Sequence, residues 1–463
     1  MSNPGEVDTT PISDRRQLIA WLEAGAKPRE HWRIGTEHEK FGFYLDDLTP
    51  PPYAPGGIRA VLEGLIAQGT DGQGGWAPIL DRGQPIGLRD AGGHDGASIS
   101  LEPGGQLELS GGLCRDLHAT AREMAQHFAE VHRAADPLGL GFAPLGFHPL
   151  ATREAMPWMP KSRYAIMRRY MPRRGALGLD MMLRTCTVQV NLDYASEADM
   201  VRKLRVALAL QPVATALFAN SPFTEGRPNG FLSYRAHVWT DTDPDRSGMP
   251  GLFFEPDFGF ERYVDWVLDV PMYFIQRGGG LVDLAGHSFR EFLERGLPEQ
   301  PGEQAVLGDF TDHLTTVFTD VRIKRFLEMR GADAGAPAMM LAQSALWVGL
   351  LYDDAALAAA HALVRAHPWQ EFAALRPIVP RRGLAAPWAG GTVRDLAREM
   401  VAIAAQGLSA RACRDENGRD ESMFLAPLQE IAAGGPSPAE FWLQRAERVW
   451  HGDIARIFPE ARI

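Results

Sequence analysis

Glu37 and Glu39 stand one residue apart in the stretch IGTEHEKFGF. In an extended chain, residues two apart share a face, so both carboxylates point one way and Phe41 and Phe43 continue that face. Neighbouring carboxylates repel each other unless a proton or a cation separates them. A divalent metal meets that need, and hard oxygen donors favour magnesium or manganese. Taken alone, Glu-x-Glu more readily describes a solvated charged strand. Three further carboxylate-bearing segments reverse that balance.

SISLEPGGQLELSGG (residues 98–112) alternates polar and apolar residues on both sides of a Pro-Gly-Gly turn, a strong hairpin signal. Ile99, Leu101, Leu107 and Leu109 form its apolar set; Glu102, Gln106 and Glu108 belong to the polar set. The pattern equally describes a half-solvated hairpin. TCTVQVNLDY (residues 185–194) is the cleanest strand, with Cys186, Val188, Val190, Leu192 and Tyr194 on one face. Thr185, Thr187, Gln189, Asn191 and Asp193 make a wholly polar opposite face, which meets water or a polar cleft. In DVRIKRFLEMRGAD (residues 320–333), Glu328 and Arg330 share parity, as an ion-paired strand would. Arg163, followed by Arg168, Arg169, Arg173 and Arg174, opens the most basic cluster of the chain. It suits an anionic substrate or a solvated helix face, and the pattern leaves both open.

Several elements must position these residues. Leu18, Ile19 and Leu22 sit at helical spacing after Ser13 or Asp14. Residues 59–68 read as a short helix and 117–135 as a long amphipathic one. Residues 139–160, rich in Gly and Pro, read as irregular. Ser196-Glu197-Ala198-Asp199 resembles a capping box for a helix to about Phe218, bent by Pro212. Gly278-Gly279-Gly280 marks a hinge or tight turn; no GxxxxGK[ST] phosphate loop occurs. Asp241, Asp243 and Asp245 lack the Gly and final Glu of a calcium loop. Beyond Gly335 the chain is Ala- and Leu-rich and helical.

Composition bounds the rest. The 463 residues are 45% hydrophobic and 23% charged, as in an ordinary soluble globular protein. A formal charge of −11 argues against general nucleic-acid binding. Three cysteines, far apart and without CxxC, suit a reducing compartment. The acidic N-terminus is no signal peptide, and the uncharged run 334–352 contains Gly, Pro, Gln and Ser, so it reads as a buried helix rather than a membrane span. A cytoplasmic location is expected. Residues 1–12 read as a flexible tail and 13–463 as one domain with a helical part from about 335.

Together with MPKSRYAIMRRYMP (159–172), ALQPVATALFANSPFTEGRPNGFLSYRAHVWTDTD (209–243) and GFERYVDWVLDVPMYF (259–274), these stretches resemble the plant-type glutamate–cysteine ligases, found also in proteobacteria. The resemblance runs from about residue 33 to 354, and weakly through PSPAEF (436–441). It implies an α+β, glutamine-synthetase-like fold: a curved, mainly antiparallel sheet forming a funnel, with helices packed outside. The implied reaction is ATP-dependent ligation of the L-glutamate γ-carboxylate to L-cysteine through a γ-glutamyl phosphate, the first step of glutathione synthesis. The chemistry needs ATP as co-substrate and magnesium, or manganese, to offset phosphate charge.

By motif position the resemblance assigns Glu37, Glu39, Glu102, Glu108, Gln189 and Glu328 to the metal, and Arg163 and Arg235 to glutamate. Arg330 would stabilise the transferring phosphoryl group. Tyr234 stands where the family usually carries Met, next to the expected cysteine contacts. Partners would be the small-molecule substrates, with no nucleic acid and no membrane, in a monomer or homodimer. The plant enzymes use disulfides for redox control; the cysteines here do not match those positions, and Cys186 reads as a small core residue. Alternatives are a γ-glutamyl ligase using another amine, and a non-catalytic glutamate- or nucleotide-binding regulator.

Overall fold

The alternating segments become neighbours in one sheet. The computed structural model describes residues 8–71, 75–297 and 301–463. Its main sheet has strands β1 (Ile34–Tyr44), β2 (Trp76–Asp81), β3 (Gln84–Asp90), β4 (Ser98–Leu101), β5 (Leu107–Ser110), β6 (Leu140–Ala143), β7 (Thr187–Leu192), β8 (Val321–Ile323) and β9 (Leu327–Asp333). The order is β8-β9-β7-β1-β5-β4-β3-β2, with β6 also on β1, and these pairings are antiparallel. Strand β1 is central because it is long: Ile34 to His38 pair with β7, Glu37 to Lys40 with β5, and Phe41 to Tyr44 with β6. The hairpin turn between β4 and β5 needs its glycines. Gly105 has φ +86°, and a Cβ on Gly104 would come within 2.3 Å of the Leu183 carbonyl oxygen.

The helices that frame the site are α1 (Ile58–Ala67), α2 (Leu117–Ala135), α3 (Ser162–Tyr170), α4 (Glu197–Leu217), α5 (Tyr234–Val238), α6 (Pro337–Leu351) and α7 (Val393–Arg411). Asp116 caps α2 and Ser196 caps α4, each accepting a backbone N–H three residues on. Pro212 is accommodated inside α4. Ile99, Leu101, Leu107 and Leu109 pack with Ile58, Leu62 and Val131 of α1 and α2. Val190 and Leu192 of β7 join α4, α6 and α7 in a larger core. Helix α6, from the uncharged run, is buried on nearly every side. It meets α7 backbone to backbone: a Cβ on Gly407 would lie 1.9 Å from the Gly349 carbonyl oxygen.

Several expectations are corrected. Residues 1–7 of the expected tail lie outside the described residues, but 8–12 are docked: Ile12 is buried, its N–H donates to the Ala305 carbonyl at 2.9 Å, and Pro11 bridges Val306. Residues 139–160 are not wholly irregular, since β6 completes the pairing of β1. The polar set of the hairpin is not half-solvated, since Gln106 and Glu108 are each 1% exposed, and of the two settings open to the polar face of β7 it takes the cleft, with Gln189 4% exposed. Phe41 and Phe43 enter a third apolar cluster with Phe458 instead of extending an acidic face. Strand β9 carries one extra residue against β7, between Met329 and Ala332.

Candidate active site

Alternation along β1 sends Glu37 and Glu39 to one face and His38 and Lys40 to the other. The His38 ring meets His127 edge to face and Phe128 at a tilt, both from α2, with the Lys40 Nζ 3.4 Å from its Nδ1. The glutamates line a cavity that, with its open mouth, encloses about 770 Å³. Register builds the cluster: Glu37 lies opposite Gln189, and Glu39 opposite Glu108. Asn191 Nδ2 and Gln189 Nε2 donate to Glu37 at 2.8 and 3.3 Å, and the Thr187 N–H donates to Glu39 at 2.8 Å.

The β4–β5 hairpin brings Glu102 and Glu108 to the same cavity. Ser100 Oγ donates to Glu108 at 3.0 Å. Helix α3 supplies the wall beside Glu102: Arg163 lines the cavity, and the buried Tyr164 hydroxyl donates to the Leu101 carbonyl at 2.6 Å. The Arg163 guanidinium lies 5.5 Å from the ring of Phe274. So the first arginine of the basic cluster is buried in the site, whereas Arg168, Arg169, Arg173 and Arg174 are not.

Strand β9 and helix α5 close the other side. Arg330 Nη1 donates to Gln189 Oε1 and to Glu328. Arg235 Nη2 donates to the Arg330 carbonyl at 3.0 Å, while its buried Nε has no protein partner. The cavity thus gathers Glu37, Glu39, Glu102, Glu108, Gln189, Arg163, Arg235 and Arg330. Glu328 stands apart. It is fully buried and does not line the cavity, and Arg322 grips it at 2.7 and 2.9 Å, with Lys324 at 3.1 Å and Arg330 beside it.

The charges are unequally matched. Burial, reinforced by Glu102, pushes the Glu39 carboxyl up to about 8. Burial together with Glu37, Glu102 and Glu39 raises Glu108 well above the carboxylate range. Burial also raises Glu102, against the pull of Lys161 and Arg163. Burial works against Glu328 too, but Arg322, Lys324 and Arg330 overcome it and hold that carboxyl well below the usual range. Four carboxylates share the cavity, and burial raises three of them, Glu39, Glu102 and Glu108, with mutual repulsion adding at Glu39 and Glu108; such a set is a donor group in want of cations. Their hard oxygens fit magnesium or manganese. Among the described residues, no three His, Cys, Asp or Glu side chains stand together as a ready-made ion cage. Such open sites suit ions that share their shell with substrate phosphates and water.

Sequence reasoning passed over Arg322, Lys324, Lys161, Thr187 and Asp333. Arg322 and Lys324 had a signal, since Arg322 pairs with Glu328 across β8 and β9. The others act through contacts with residues distant in the chain, which no spacing announces: Thr187 through its N–H to Glu39, Lys161 through its ammonium to the Leu101 carbonyl, and Asp333 through the hydroxyls of Ser221 and Ser233.

Residues 33–460 match the profile of the glutamate–cysteine ligase family 2. The chain is 48% identical over 452 residues to the chloroplastic glutamate–cysteine ligase B of Oryza sativa subsp. japonica, covering 98% of this chain and 88% of the relative. It is 48% identical over 454 residues to the chloroplastic glutamate–cysteine ligase of Arabidopsis thaliana, covering 98% and 84%. Its fold is similar to the crystal structure of glutamate–cysteine ligase from Francisella tularensis in complex with AMP, with a TM-score of 0.55 at 11% identity over 94% of this chain and 89% of that one.

Proposed function

The chain belongs to the glutamate–cysteine ligase family 2, and from that premise we propose that the acidic cavity is where it joins its substrates. Its activity is that of a glutamate–cysteine ligase, the ATP-dependent first step of glutathione synthesis. The observation that carries the site is convergence. Four carboxylates and four arginines, from β1, the β4–β5 hairpin, α3, α5, β8 and β9, line one cavity.

A carboxylate is a poor acyl donor because oxide is a poor leaving group. Phosphorylating the glutamate γ-carboxylate supplies a good one, and the cysteine amine then displaces phosphate. Glu37, Glu39, Glu102, Glu108 and Gln189 would hold magnesium. When bound, the ion neutralises charge on phosphate oxygens. Glu328 has the same ligand chemistry, but here its oxygens serve to hold Arg330.

The chain's own groups do the rest. Arg235, with its Nε free, and Arg163 present planar guanidinium groups suited to a carboxylate. Arg330, fixed by Glu328 and Gln189, faces the cavity where phosphoryl charge would gather. Met167, Met181, Met182, Trp239 and Phe318 give the cavity apolar walls, which keep water from an acyl phosphate. ATP hydrolysis assayed with glutamate over a panel of amines tests the reading. Cysteine should stimulate turnover most; no stimulation by cysteine would remove it, and a different preferred amine would redefine the second substrate.

A further inference from the structure

Helix α5 presents Arg235 to the cavity, yet it is five residues long. One helical turn is not stable by itself, because nucleation costs more than so few hydrogen bonds return. Something outside it must fix the angle at which Arg235 enters.

That anchor is Asp333, at the end of β9. Its Oδ1 accepts from Ser233 Oγ at 2.8 Å; its Oδ2 accepts from Ser221 Oγ at 2.6 Å and from the Asn220 N–H at 2.8 Å. Both serines then hold α5. Ser233 is its N-cap, accepting from the Ala236 N–H at 3.1 Å. Ser221 Oγ accepts from the N–H of Arg235 itself, also at 3.1 Å. Asp333 is 2% exposed and does not line the cavity, so it touches no substrate. Its place is tight: a Cβ on Gly146 would come within 2.5 Å of its carboxyl group. Arg235 Nη2 meanwhile bonds the carbonyl of Arg330, three residues earlier on the same strand.

We propose that Asp333 is a positioning residue for glutamate recognition, setting the approach of Arg235 through the hydroxyls of Ser221 and Ser233. One strand therefore fixes both arginines, Arg330 directly and Arg235 through this relay. The inference rests on the reading of Arg235 as a glutamate-binding group. The carboxylate matters because two acceptor oxygens serve three donors; an amide of the same shape has one acceptor oxygen and presents a donor to the rest.

The test is a double-mutant cycle in the full chain, with KM measured separately for glutamate, ATP and cysteine. Asp333→Asn should raise the glutamate KM about tenfold, with kcat and the ATP KM within about twofold of the parent. In an Arg235→Ala background the same substitution should add nothing to the glutamate KM. A comparable rise in both backgrounds, an equal rise for ATP, or a fall in kcat alone would make Asp333 merely structural and overturn the proposal. An unchanged glutamate KM in Arg235→Ala itself would sink the reading of Arg235, and the relay with it. Should Asp333→Asn fail to fold, Ser221→Ala combined with Ser233→Ala removes the same two links and is held to the same outcomes.

Discussion

The acidic cavity and the contact between α6 and α7 are both lined by buried side chains and use that burial in opposite ways. At the helix contact, glycines let two backbones touch, and Leu346, Trp347, Met400 and Ala404 fill the space around them. In the cavity, carboxylates are held together against their own repulsion and against the loss of hydration. One region contributes stability through close packing. The other gives up stability to keep charge ready for ligands, and Arg322 and Lys324 confine the damage by neutralising Glu328.

Substitutions on the two sides should therefore fail differently. Glu39→Gln should lower turnover by about 1,000-fold, because a neutral amide cannot offset phosphate-bound cations. The fold should survive it, as a circular dichroism melt would show; near-normal activity would remove Glu39 from the metal set. Gly407→Val should act the other way. It forces atoms into the Gly349 backbone and should cost about 3 kcal/mol or more of stability. Enzyme that stays folded at low temperature should keep its glutamate KM, and a changed KM would dissolve the contrast between the two regions. Arg163→Lys should raise the glutamate KM about tenfold, since an ammonium cannot match a carboxylate with two parallel bonds.

The smallest effect concerns pH. Burial pushes the Glu39 carboxyl up to about 8 from an ordinary value of 4.5, so between those values the folded state keeps a proton that the unfolded chain has lost. Stability of the metal-free protein should thus fall as pH rises from about 5 to 7, by about 2–4 °C in Tm. Above about 7 the buried Lys40 opposes the trend, because its ammonium already deprotonates there in the fold. Glu39→Gln should flatten the slope. A slope that is unchanged would assign it to another group.

Much of the frame was legible in the chain. The apolar alternation around Pro-Gly-Gly predicts β4 and β5, and the segment 117–135 forms a helix with those bounds. What the alternation cannot report is the environment of the polar face. Glu108 and Gln189 carry the same pattern whether water or a cavity lies opposite, and the cavity exists only once β1, α3 and β9 arrive from elsewhere. The role of Asp333 was hidden for a similar reason. Its partners, Ser221 and Ser233, lie about a hundred residues earlier and are small polar residues of the commonest kind.

The extra residue in β9 has a consequence for how this segment can change. Before it, β9 keeps step with β7 so that Glu328 faces Asn191; after it, Asp333 keeps step with Thr187. Losing Gly331 would turn the two-against-one step opposite Gln189 into a regular pairing: Glu328 would still face Asn191 and Asp333 would still face Thr187, and only the local bend at Arg330 would go. What the extra residue sets is therefore the angle at which the Arg330 side chain leaves the strand, while the anchor for Arg235 further along keeps its place.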